Sequence, residues 1–89
     1  MISPEQVQEI ADLIAAQPLN EDVILPLLRK QYETMHFTYC MDDDIGRRKA
    51  VLETEHFNLY LIDGREHCLC LTNDYSIATG VVVAEIIPE

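Results

Sequence analysis

The chain is short of positive charge. It carries six Lys and Arg against sixteen Asp and Glu, a formal net charge of −10. Phosphate backbones repel such a chain, so nucleic-acid binding is disfavoured, and anionic membrane surfaces are disfavoured for the same reason. A basic partner surface or a cation suits this balance better. Long apolar runs are missing as well, and none approaches membrane-spanning length. The opening Met1-Ile-Ser-Pro-Glu-Gln6 lacks a basic region followed by an apolar stretch, so no signal peptide is expected. Cysteine is sparse and odd in number, and three thiols argue against a closed disulfide framework. Together these absences predict a cytoplasmic protein with reduced thiols. Repeats, low-complexity tracts and linkers are absent too. The 89 residues suffice for one modest core, so a single domain over residues 1–89 is expected.

What the sequence does have is clear punctuation. Ser3-Pro4-Glu5-Gln6 predicts a helix start, with Ser3 as cap, Pro4 at the first helical position and Gln6 closing a capping box. Val7, Ile10, Ala11 and Ile14 then recur at helical spacing, and Pro18 stops the helix. Asn20 caps a second helix, with Glu21 and Asp22 beside its positive end. Leu25, Leu28 and Tyr32 give that helix an apolar side, and Pro26 predicts a kink or a break. From Met35 the period changes to two. Met35, Phe37 and Tyr39 alternate with His36, Thr38 and Cys40, which predicts a strand. Asp42 to Lys49 reads as an exposed connection with room for one helical turn, and Ala50 to Glu53 as a short strand or the end of that connection.

The richest stretch is Phe57 to Thr72. It predicts a β-hairpin turning at Asp63-Gly64, where glycine accepts positive φ without steric cost. An even-numbered turn puts Phe57, Leu59, Leu61, Cys68 and Cys70 on one face, and Asn58, Tyr60, Ile62, His67, Leu69 and Leu71 on the other. Asn73 to Ser76 is loop-like, with a single helical turn that Gly80 would end. Val81 to Ile87 is a β-branched final strand. Helices followed by strands predict an α+β domain, two N-terminal helices packed on a mostly antiparallel sheet of three to four strands. Both hairpin faces are apolar, yet two short helices cover only one. The other face needs the 41–56 connection, a second copy in a homodimer, or a protein partner.

Three constellations bear on chemistry. If the first strand neighbours the hairpin, Cys40, Cys68 and Cys70 share a face with His36 in phase, a donor set suited to zinc or another soft metal. Cys-x-Cys on a strand is not the usual zinc spacing, and buried cysteine is common. The core reading therefore packs Cys68 and Cys70 beside Phe57, Leu59 and Leu61 and expects no cofactor. Asp42, Asp43 and Asp44 are adjacent carboxylates that favour a cation. A calcium loop fails, however, because the required glycine is misplaced and Arg47, Arg48 and Lys49 fill the loop. The acidic turn then serves as a partner surface together with Tyr60, His67 and Leu69. His36, His56 and His67 show no nucleophile–base pattern, so no catalytic residue is assigned. Helix-turn-helix DNA binding needs a basic recognition helix, whereas the second helix begins Glu21-Asp22 in an acidic chain, so the helix pair reads as packing.

Two segments resemble a known group. His36-Phe-Thr-Tyr-Cys-Met-Asp-Asp-Asp-Ile45 and Phe57-Asn-Leu-Tyr-Leu-Ile-Asp63, continuing through His67-Cys-Leu-Cys-Leu-Thr-Asn-Asp74 to Ala78-Thr-Gly-Val-Val-Val-Ala-Glu85, are similar to a small uncharacterised bacterial family often encoded among nitrogen-fixation genes. The resemblance carries over no catalytic residues. It implies a cytoplasmic accessory role near nitrogenase assembly, maturation or electron supply. The expected function is a non-enzymatic interaction protein with a protein partner of unknown identity. The competing classes are a metal- or cluster-binding protein using cysteine thiolates and a small thiol-dependent enzyme.

Overall fold

The structure, a computed structural model, describes residues 2–46, 49–64 and 70–86. Helix α1 (Pro4–Ala15) starts where its capping residues put it. The Ser3 hydroxyl accepts from the Gln6 amide N–H at 3.2 Å, and the Gln6 side-chain oxygen accepts from Ser3 N–H at 3.0 Å. These reciprocal bonds satisfy two helix-end donors, as a capping box should. Val7, Ile10, Ala11 and Ile14 are its buried stripe. Helix α2 (Glu21–Gln31) begins at Asn20, whose side-chain oxygen accepts from Asp22 N–H at 2.8 Å. Ile24, Leu25 and Leu28 face inward. Of the kink or break expected at Pro26, the break does not occur, and the helix runs through it. Pro26 is exposed, so water can bond the carbonyl that the missing N–H leaves unpaired.

The described residues form a mixed sheet of β1 (His36–Met41), β2 (Leu52–Glu53), β3 (Phe57–Asp63), β4 (Cys70–Thr72) and β5 (Gly80–Glu85). Their order is β1-β5-β3-β2, and β4 also pairs with β3. The outer edge of β3 is shared: β2 takes the Asn58–Leu59 end, and β4 takes Leu61 to Asp63. A one-turn helix α3 (Asp42–Ile45) follows β1. The α+β class holds. The sheet has five strands among the described residues rather than three or four, and one pair, β1 with β5, is parallel.

Strand β5 decides this topology. Gly80 to Ala84 are all buried, which requires cover on both faces and neighbours on both edges. A continuous apolar run with no alternation marks such a strand. Gly80 opens β5 instead of ending a helical turn. A Cβ there would lie 2.2 Å from the His36 carbonyl oxygen, so glycine lets the two parallel strands approach. β5 also separates β1 from the hairpin, contrary to the neighbourhood that the three-cysteine reading required. The hairpin turn differs as well: Asp63 lies within β3 and pairs with Cys70, so the reversal falls beyond Asp63. Leu71 still pairs with Ile62, and the expected division of faces survives for the described residues.

The helix face buries Phe37, Phe57, Leu59, Leu61, Val81 and Val83 against α1 and α2. The opposite face presents Tyr60, Ile62, Val82 and Ala84, packed by Cys40, Ile45, Ala50 and Leu71. Ile45 and Ala50 of the 41–56 connection therefore lie over the second face. The apolar excess that called for a second copy is covered by the chain itself.

Candidate interaction surface

The cover of the second face depends on one carboxylate. Asp42 opens α3 directly after β1, and its Oδ1 accepts from Asn58 Nδ2 at 3.0 Å and from the Tyr60 hydroxyl at 2.9 Å. Both donors stand on β3 and face the same side, because even-numbered residues of that strand point away from the helices. Asp42 thus clamps α3 to the sheet. Gly46, with φ of 77°, ends the turn in a backbone conformation that favours glycine. Tyr60 is 4% exposed. It was expected to belong to an open partner surface, and here it is a buried anchor beneath α3. Asp43 and Asp44 remain exposed.

The clamp belongs to a wider pattern. Between described residues the structure holds a single ion pair, His56 with Glu55 at 4.0 Å, and both side chains are exposed. Three carboxylates accept from phenols that reach across from another element. Tyr32, at the end of α2, donates to Glu9 of α1 at 3.1 Å. Tyr39 of β1 donates to Glu85 of β5. Tyr60 of β3 donates to Asp42 of α3. Each bond ties two different elements. Burial, and then the carboxylate beside each hydroxyl, push all three phenols above their ordinary range. Among the described residues these neutral donors tie one element to another, work often done by lysine and arginine.

The thiols are dispersed. Cys40 lies half-buried on the α3 side of the sheet. Burial, with Asp44 and Asp42 nearby, holds its pKa up. Cys70 pairs with Asp63, on the helix side of the hairpin, and is exposed. The buried core position expected for Cys70 is thus corrected. β4 is only three residues long and sits at the far end of β3, beyond the cover of the helices. Cys40 and Cys70 are on opposite faces with β5 and β3 between their strands. His36 shares the Cys40 face but stands at the other end of β1 and is exposed. Among the described residues no three His, Cys, Asp or Glu side chains gather closely enough to hold a metal ion. Cys68, His67 and Leu69 lie outside the described residues.

A cleft of about 490 Å³ opens at the end of the sheet, lined by Ile14, Leu19, Thr54, His56, Phe57 and Ile86 among others. Its hydroxyl is committed to the local turn: Thr54 Oγ1 donates to the Phe57 carbonyl at 2.7 Å and accepts from Phe57 N–H at 3.0 Å. No helix among the described residues is long and apolar enough to cross a membrane.

Sequence reasoning found Asp42 to Asp44 as a unit but not the distinct task of Asp42. The available signal was the alternation of Asn58 and Tyr60, two polar-tipped side chains on an otherwise apolar sheet face. Such groups need a buried acceptor. Comparison with curated proteins and with solved structures gives no match in either set. A family model does match, over residues 11–86, a span that takes in all five strands, α2, α3 and the last part of α1. The chain belongs to the family of unknown function DUF6129.

Proposed function

We propose that this protein is a non-enzymatic accessory protein that docks a basic surface of a protein partner against α3. The supporting observation is the Asp42 clamp. By tying α3 to Asn58 and Tyr60, it holds Asp43 and Asp44 in a fixed exposed position. Presenting charge from an ordered turn lowers the entropic cost of docking. The net charge of −10 adds long-range attraction for a basic partner and speeds encounter. The resemblance to proteins encoded among nitrogen-fixation genes suggests a cytoplasmic role in nitrogenase assembly or maturation. Co-purification from the native cell tests the reading. The wild-type protein should retain a basic partner at low salt and lose it as salt rises. Asp43→Lys with Asp44→Lys should abolish retention while leaving the fold intact. Retention that ignores both the double substitution and salt would reject α3 as the docking element.

A further inference from the structure

We infer that two copies of this chain join through the outer edge of β1, extending their sheets into one continuous antiparallel sheet across a two-fold axis. The inference is independent of what docks on α3. It starts from the ladder. His36 N–H donates to the Thr79 carbonyl at 3.1 Å, and β1 runs parallel to β5 in register from His36–Gly80 to Met41–Glu85. In such a ladder alternate residues turn both backbone groups to the neighbour. His36, Thr38 and Cys40 therefore bond β5, while Phe37, Tyr39 and Met41 turn their N–H and C=O groups outward. Among the described residues β1 is the last strand on that side of the sheet. Its edge is met by one side chain among the described residues, the Arg29 guanidinium, which reaches the Phe37 carbonyl at a long 3.4 Å.

Edge strands are usually protected by charge, proline or a bulge, because unpaired backbone groups template another strand. Here the edge runs His36-Phe-Thr-Tyr-Cys-Met41, without a carboxylate, lysine, arginine or proline. On a chain with ten excess negative charges, this is a stretch along which two copies can meet without carboxylates opposed. The outward groups of Phe37, Tyr39 and Met41 restrict the register to these three residues, and the fullest overlap centres it on Tyr39. Antiparallel partners exchange both bonds between directly opposed residues. Tyr39 then pairs with Tyr39 across the axis, Phe37 with Met41, and His36 comes to lie opposite Asp42 at each end of the ladder.

The helix layer fits the same symmetry. α2 lies along β1 in the opposite sense, with Arg29 at the Phe37 end and Glu21 near enough to Tyr39 to act on its phenol. A two-fold axis normal to the sheet makes the two α2 helices antiparallel and puts them on the same side. Each has Glu21 and Asp22 in its first turn and Arg29 and Lys30 in its last. The acidic end of one helix therefore meets the basic end of the other, a complementary arrangement.

Met41→Pro tests the interface. Met41 has φ of −87° and ψ of 142°, which proline tolerates, and its N–H faces away from β5, so the substitution removes an edge donor without breaking the chain's own ladder. Light scattering across a concentration series should give a dimer mass for the wild type, with dissociation about tenfold or more easier in Met41→Pro, the scale of one or two lost hydrogen bonds. Amide exchange of the wild type gives a readout that needs no variant. Phe37, Tyr39 and Met41 should gain protection as concentration rises, while Thr38 and Cys40 stay protected throughout. A monomer mass at every concentration would overturn the inference. So would a dimer whose Tyr39 amide exchanges freely, or one that a folded Met41→Pro chain forms equally well.

Discussion

The two faces of the sheet are closed by different means. On one, α1 and α2 lay Ile10, Ile14, Ile24 and Leu28, all fully buried, against Leu59, Leu61, Val81 and Val83. On the other, a single turn and the chain around it bring Ile45 and Ala50 over Tyr60, Ile62, Val82 and Ala84, and the turn is fastened by the bonds to Asp42. The first face is held by apolar area, which is additive and tolerant of small shifts. The second is held by a few directional bonds, which fail together when one acceptor is lost. The thin cover is the part of the molecule expected to open at lower free energy than global unfolding.

Substitutions on each face put this contrast to the test. Leu59→Ala, in the helix-face core, should have the largest effect, costing about 3–4 kcal/mol in denaturant unfolding, because the surrounding helices cannot collapse onto the cavity. Ile62→Ala removes a similar side chain from the α3 face. It should cost less, about 2 kcal/mol, because a short turn relaxes more readily than two packed helices. Equal losses at the two sites would erase the distinction between the faces.

Asp42→Ala should cost about 1–2 kcal/mol through the unsatisfied Tyr60 hydroxyl and Asn58 amide. Its more telling consequence is at Cys40. Burial, then Asp44 and Asp42, hold that thiol's pKa up, and the substitution weakens both the cover and the charge. The thiolate fraction should rise, and alkylation of Cys40, followed by peptide mass spectrometry, should accelerate severalfold. An unchanged rate would show that α3 stays seated without its clamp.

The mildest test is alkaline titration. Tyr32, Tyr39 and Tyr60 have pKa values raised from 10.0 in the folded chain. Above pH 10 the unfolded chain gives up these phenolic protons first, so the native state binds more protons. The stabilisation is complete below that value and is lost as pH rises through the folded values. Tyr39→Phe should flatten the fall of stability measured as pH rises above about 10. A slope identical to that of the wild type would remove Tyr39 from the account.

Much of the local structure was legible in the residues. Ser3, Gln6 and Asn20 announced the helix starts, alternation from Met35 to Cys40 announced β1, and the apolar hairpin announced a sheet with two faces to cover. Local signals of this kind depend on neighbours within a few positions, where backbone geometry and side-chain reach are nearly fixed. The division of hairpin faces followed from parity alone, and it withstood a reversal placed differently from the expected Asp63-Gly64 turn. Of the kink or break expected at Pro26, the break does not occur, because the carbonyl left without an N–H partner lies on an exposed helix side where water can bond it.

Strand order was a different matter. The insertion of β5 between β1 and the hairpin sets Cys40 apart from Cys70 and leaves β1 at the edge, and no spacing in the chain states it. The unbroken run Val81 to Ala84 gave the only hint, since a strand without a polar side belongs inside a sheet. The task of Asp42 was equally hidden: Asp42, Asp43 and Asp44 are chemically identical in the sequence. Composition and local pattern determined the elements, their caps and their apolar faces, because those follow from short-range geometry and hydration. Which carboxylate became a clamp, which thiol stayed exposed and which strand became the edge were decided by tertiary structure, because each depends on which distant segments arrive beside it.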